Sequence, residues 1–164
     1  MRAALASVAN REVVQLLMRY SGSLNPDNAE SVQTIQSLGV LLKRDPELAK
    51  IMLTAKNRKT DVGPRMNYGT IRFVREIFGA AGPELLPMLH QELRNKDRVI
   101  RSNAALACGA IGDPSSIDPL IASLDEESAL SQASSVWALG QLNATKALPK
   151  LRAMYHQLRS QKRA

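Results

Sequence analysis

The chain has 164 residues and a formal net charge of +7, with 45% apolar and 23% charged residues, a balance that excludes a disordered polar tail and a membrane protein. Aromatic residues make up only 4% while Ala and Leu are plentiful, which favours closely packed helices over a β-sandwich. One cysteine, Cys108, and two histidines, His90 and His156, exclude an internal disulfide and every multi-cysteine zinc site, so no metal and no cofactor is expected.

The first element is an amphipathic helix of about Ala4 to Tyr20, in which Arg2, Arg11, Glu12 and Arg19 interrupt the apolar run that a signal peptide or spanning helix requires. Residues 1–28 are read as a capping helix and linker, and the chain as cytoplasmic. Residues 29–58 form a divergent helical hairpin: Val32, Ile35, Leu38 and Leu42 share one helical face, and Leu48, Ile51, Met52 and Ala55 another. Residues 59–69 are an inserted loop whose Gly63-Pro64 turn presents Arg65, Met66 and Tyr68, a mixture suited to a protein contact. Residues 70–160 hold three further hairpins, and 161–164 a basic tail. In the last helix Leu148, Leu151, Met154, Tyr155 and Leu158 are expected to face the core, with Arg152, His156 and Arg159 on another side.

An internal period ties these hairpins together. Gly39, Gly79, Gly109 and Gly140 each close an apolar helical pattern, at spacings of 40, 30 and 31 residues. Their recurrence points to places where neighbouring helices approach closely. After each one the chain supplies a stop and a new start. Gly82, Gly112 and Asn143 suit the left-handed residue that ends a helix; Asp45 and Asp113 suit the cap of the next, with Pro46 and Pro114 in its first turn. Pro87, Pro119 and Pro149 recur early in the second helices, where a missing donor costs least. Between Ser128 and Thr145 there is no charge at all, but four Ser and two Gln make the stretch a poor lipid span, so it is read as a buried helix followed by a turn.

The run Ile100-Arg101-Ser102-Asn103-Ala104-Ala105-Leu106-Ala107-Cys108-Gly109-Ala110-Ile111-Gly112-Asp113-Pro114 resembles the signature of HEAT-like repeats of the phycobilisome-lyase type. The next repeat keeps Ala138, Leu139, Gly140 and Leu142 but has Gln132 for the arginine and Asn143-Ala144 for the Gly-Asp pair. The resemblance implies an all-α fold, a short right-handed α-solenoid of about four hairpins with first helices convex and second helices concave. It also implies a protein-binding scaffold or adaptor, with bilin-lyase-like subunits and nucleic-acid binders as minority members. Gly39, Gly79, Gly109, Gly140, Arg101 and Asp113 are its structural positions, Arg101 pairing with a loop carboxylate across repeats.

Charge is unevenly spread. Nine basic and three acidic residues lie between Lys43 and Arg75, five acidic and no basic ones between Ser102 and Asn143, and six basic and no acidic ones between Ala144 and Ala164. No HExxH, GxSxG, P-loop or GxGxxG is present, and Glu92 is too near His90 in sequence to share its helix face. Cys108 belongs to an apolar face, where burial keeps a thiol neutral. The expectation is a non-enzymatic module that binds an acidic protein or peptide partner on the concave surface. Its candidate contacts are Arg65, Met66 and Tyr68 in the loop, and Lys146, Lys150, Arg152, His156 and Arg159 in the last hairpin. Nucleic acid, which would need a basic stripe interleaved with stacking aromatics, is the alternative partner. Oligomeric state is left open.

Overall fold

Punctuation residues set where each helix begins and ends. A computed structural model describes residues 12, 29–54 and 68–161. The expected N-terminal helix, apart from the isolated Glu12, and the loop residues Arg65 and Met66 lie outside the described residues. The rest alternates first and second helices, the second being the shorter in every hairpin but the last: α1 Ala29–Arg44, α2 Pro46–Leu53, α3 Tyr68–Ala81, α4 Leu86–Glu92, α5 Arg98–Ile111, α6 Ile117–Ala122, α7 Ala129–Gln141 and α8 Leu148–Gln161. No strand occurs among the described residues.

The stops are local chemistry. Gly82, Gly112 and Asn143 take positive φ, at 84°, 79° and 49°, so each reverses the chain after a first helix. The Asp45 carboxylate accepts from the backbone N–H of Glu47 and Leu48, and that of Asp113 accepts from Ser115. The second helices after these turns start with a 3-10 turn, Pro83–Leu85, Pro114–Ser116 or Thr145–Ala147, before α-helical bonding sets in. Pro87, Pro119 and Pro149 then fall within the first three α-helical residues, early in each helical segment, where a missing amide donor costs least.

First helices stack on first helices, α1 on α3, α3 on α5 and α5 on α7. The repeat glycines explain the closeness. A Cβ added at Gly39 would stand 2.8 Å from the Ala80 carbonyl carbon, at Gly79 3.3 Å from the Ala110 oxygen, and at Gly109 2.7 Å from the Ala138 Cα. Each glycine thus receives an alanine of the following first helix. Gly140 differs from this expectation. No atom lies within 4 Å of where its Cβ would be, because no described helix follows α7 on that side.

The core runs between the two layers, from Ile35, Leu38 and Leu42 through Ile77, Phe78 and Leu89 to Leu120, Leu124 and Leu139. In α5 every residue from Ser102 to Gly109 is buried. Ser102 is buried although it is polar, because its Oγ lies 2.7 Å from Ser134 Oγ of α7. Ser123 and Ser135 form a second such pair at 2.7 Å, and Ser131 Oγ donates to the Arg98 carbonyl. These hydroxyls let an uncharged helix sit inside without orphaned polar atoms. Two links reach past the nearest neighbour. Asn103 donates to the Leu53 carbonyl of α2 at 2.8 Å, and the Arg75 guanidinium of α3 lies 4.2 Å from the centre of the Trp137 ring of α7.

Two apolar faces read from periodicity prove to be only partly covered. Val32 is 38% exposed on α1. On α8 only Leu151 and Met154 pack on the core, while Leu148 is 46% exposed and Tyr155 and Leu158 are 59% exposed. The last helix has a neighbour on one side alone, so an apolar stripe on it is not the same thing as a buried one.

Candidate interaction surface

The second helices line up beside one another, and a cleft of about 640 Å³ opens between α4 and α6. His90, Gln91, Leu93 and Arg94 form one wall; Pro119, Ala122, Ser123 and Glu126 form the other. Pro119 early in α6 and the 3-10 turn Ser123–Asp125 after it hold this segment to two α-helical turns. The cleft mixes apolar, cationic and anionic side chains, which suits a segment of polypeptide better than a single small polar ligand.

At its floor His90 Nε2 lies 3.0 Å from Ser116 Oγ, tying α4 to the 3-10 turn that leads into α6. Burial lowers the His90 pKa below the ordinary imidazole value, against a smaller upward pull from the Asp113 carboxylate. Ser116 is fully buried and also hydrogen-bonds Cys108. Desolvation pushes the Cys108 thiol up to about 12, with the Ser116 bond opposing, so it is a neutral packing residue at physiological pH. Asp113 titrates below the usual carboxylate range because the side chain and backbone of Ser115 donate to it. His90, Ser116 and Asp113 therefore resemble a catalytic set in composition only: the serine is shut away and the carboxylate is held by a helix cap.

The structure gives the sequence candidates separate fates. Lys146 Nζ lies 2.5 Å from Asp118 Oδ1, and Lys150 pairs with Asp125. Both lysines thus neutralise the acidic stretch of the preceding repeat. Arg152, His156 and Arg159 are exposed on α8, with the His156 ring edge-on to Tyr155 at 5.7 Å. Tyr68 opens α3, its side chain lying outside the described residues together with Arg65 and Met66. Arg101 joins three loop groups: Nη1 donates to the carbonyls of Asn95 and Lys96, and Nε lies 3.4 Å from Glu126 Oε2. Its side chain is 13% exposed against 35% for Glu126, so the arginine end of the pair is shielded from solvent and ties the loop before α5 to the loop before α7.

Sequence reasoning missed the cleft residues Gln91, Arg94, Ala122 and Glu126, and the Arg75–Trp137 stack. The cleft has no motif, because its walls come from two separate hairpins. The stack had one available signal, the lone tryptophan following a glycine by about one repeat, since Trp137 Cζ3 would be 2.9 Å from a Cβ at Gly109.

The sequence profile of HEAT repeats matches residues 71–135 and, overlapping it, 86–163. The chain belongs to the HEAT repeat family. The match begins in α3 and runs through α8, so the three regular hairpins carry it and the α1–α2 hairpin lies outside it. No curated protein matches the chain. HEAT repeats commonly mediate protein–protein interaction, and the layered first and second helices of this member are the expected architecture. No helix among the described residues is long and apolar enough to cross a membrane. No group of three or more His, Cys, Asp or Glu that could hold a metal ion occurs among them either.

Proposed function

We propose that this HEAT-repeat protein is a non-enzymatic interaction module that binds an acidic segment of a partner protein along the concave surface made by its second helices. The cleft between α4 and α6 carries the reading: it is open, polypeptide-sized and lined by the cationic Arg94 and the neutral His90 beside apolar Leu93, Pro119 and Ala122, while its one carboxylate, Glu126, is paired with Arg101. Arg152 and Arg159, with His156 between them, extend the cationic surface along α8, and Lys146 and Lys150 cancel Asp118 and Asp125 that would otherwise repel an acidic partner. The buried, neutral Cys108 and the sequestered Ser116 support a role without covalent chemistry.

The test is a titration of the full chain with acidic peptides, with hydrogen exchange as the footprint. Binding that protects residues 86–94 and 117–126, and that weakens on Arg94→Glu without a change in melting temperature, is the expected result. Failure of every peptide, combined with retention of nucleic acid whose affinity falls steeply with salt, would replace this reading by nucleic-acid binding.

A further inference from the structure

Ion pairing is uneven along the chain. Lys43, Lys50, Arg101, Lys146 and Lys150 each meet a carboxylate, those of Glu84, Glu47, Glu126, Asp118 and Asp125 in turn. Arg94, Lys96 and Arg98 do not. All three are exposed, they alternate within residues 94–98 between α4 and α5, and none has a carboxylate partner among the described residues. The acidic side chains beside them are engaged in other ways. The Glu92 carboxylate accepts from the Asn95 side chain at 2.5 Å, and Asp97 caps α5 by accepting from the Val99 N–H at 2.8 Å.

The backbone that carries these cations is tied down. The N–H groups of Arg94 and Asn95 donate to the carbonyls of Gln91 and Glu92, both at 3.1 Å, and the Asp97 N–H donates to Asn95 Oδ1 at 2.9 Å. From α5, Arg101 Nη1 reaches back to the carbonyls of Asn95 and Lys96, at 2.7 and 3.1 Å. Main chain that is already held has little freedom left to lose when a ligand arrives, so charges mounted on it bind at a lower entropic cost. Arg94 is also part of the cleft wall, which makes this cationic stretch continuous with the cleft between α4 and α6. The opposite wall has the opposite sign: Glu126 lines it and Glu127 follows.

The chain itself is a poor occupant. Residues 55–67 carry four basic residues and one acidic one, the wrong sign for this stretch. A second copy has little to offer from its acidic stretch, where Asp113 is held by the Ser115 N–H and Asp118, Asp125 and Glu126 are paired, which leaves Glu127. Nucleic acid fits the charge but not the surroundings. No Phe, Tyr or Trp occurs between Phe78 and Trp137, so neither the loop nor the cleft supplies a platform on which bases could stack.

We propose that residues 93–98 form the carboxylate-binding end of the cleft: the partner is a polypeptide segment with apolar residues between α4 and α6 and an adjoining acidic cluster on Arg94, Lys96 and Arg98. This rests on the reading of the cleft as a polypeptide site and adds the pattern of the segment. Carboxylates belong to one side of its apolar run, because cations stand at the α4 end of the cleft and Glu126 and Glu127 at the other.

The probes are two synthetic peptides of identical composition, one with a glutamate cluster after an apolar run and one with the same glutamates distributed through it. Titrated into the full chain, the clustered peptide should bind about ten-fold tighter than the distributed one. The double variant Lys96→Glu with Arg98→Glu should remove that preference at unchanged Tm, since both side chains are exposed and neither holds the loop. Hydrogen exchange should show the clustered peptide protecting residues 86–98 and 117–126. Equal affinities, or a preference that survives the double variant, overturn the proposal; protection of residues 86–94 and 117–126 would then still leave the cleft reading standing. A preference that the double variant removes, with residues 117–126 unprotected, overturns the cleft reading and keeps the loop as the carboxylate site. Failure of both peptides to bind overturns both, and retention of a single-stranded oligonucleotide in their place, weakening steeply with salt, would make nucleic acid the partner.

Discussion

Replacing Gly109 and Gly140 separately by alanine asks one chemical question in two settings. Both residues lie in a first helix near its C-terminal end, and neither has a positive φ, so alanine gains helix propensity at each by about 0.5–1 kcal/mol. At Gly140 nothing lies within 4 Å of the new methyl group, so that gain should stand alone. At Gly109 the methyl group would sit 2.7 Å from the Ala138 Cα, 2.8 Å from its Cβ and 2.9 Å from Trp137 Cζ3. A backbone carbon cannot turn aside by changing rotamer, so α5 and α7 must separate. Overpacking of this kind costs about 1–3 kcal/mol, which exceeds the propensity gain over most of its range. For a chain of this size about 1 kcal/mol corresponds to roughly 2–4 °C in Tm. Calorimetry should therefore show Gly140→Ala raising Tm by about 1–4 °C and Gly109→Ala lowering it by up to about 10 °C. Gly39→Ala should follow Gly109→Ala, and Gly79→Ala, with its nearest contact at 3.3 Å, should fall between the extremes. A rise in Tm for Gly109→Ala would refute the argument that missing side chains set the spacing of the first-helix layer.

Acidification should destabilise the α4–α6 junction. The folded state holds His90 below its ordinary pKa, so the stabilising neutral form is fully present above about pH 6.5 and its contribution is lost as pH falls through the lower folded value. The loss of Tm between pH 7.5 and 5 should shrink in His90→Gln, well above the range where Asp113 and Glu84, both depressed, lose theirs. For the buried pair Ser102 and Ser134, either single alanine replacement should cost about 1–3 kcal/mol by stranding the other hydroxyl, and the double replacement less than the sum, as a double-mutant cycle in urea would measure. Trp137→Ala should cost about 3 kcal/mol, near the low end for tryptophan because the ring is half-buried, and Arg75→Ala about 1 kcal/mol; strictly additive losses in the double replacement would mean that the stack contributes nothing beyond the area each side chain buries.

What the sequence made legible is what neighbouring residues decide among themselves. Gly82, Gly112 and Asn143 sit at positive φ and Asp45 and Asp113 cap helices because turn and cap chemistry spans only a few residues. Periodicity likewise located the helices but not their company. It grouped Val32 with Ile35 and placed Leu148, Tyr155 and Leu158 in the core, since a helical repeat reports an apolar stripe and says nothing about whether another helix lies on it. The burial of Ser102 was not legible because its partner is 32 residues away, and Lys150 is read as available because Asp125 is 25 residues away. The cleft between α4 and α6 was invisible for the same reason: its walls come from separate hairpins.

A stack in which each repeat touches only its neighbours can open like a zipper, one hairpin at a time from either end. Arg75 on Trp137 and Asn103 on the Leu53 carbonyl do not fit that scheme, since each joins elements two repeats apart. Peeling off the last hairpin must break a contact anchored in α3, and loosening the first must break one anchored in α5. Partial opening thus costs more than one junction at either end. Under mechanical load the described hairpins should give way together at a single force maximum in place of a staircase, which makes this a stiff rod segment for its length.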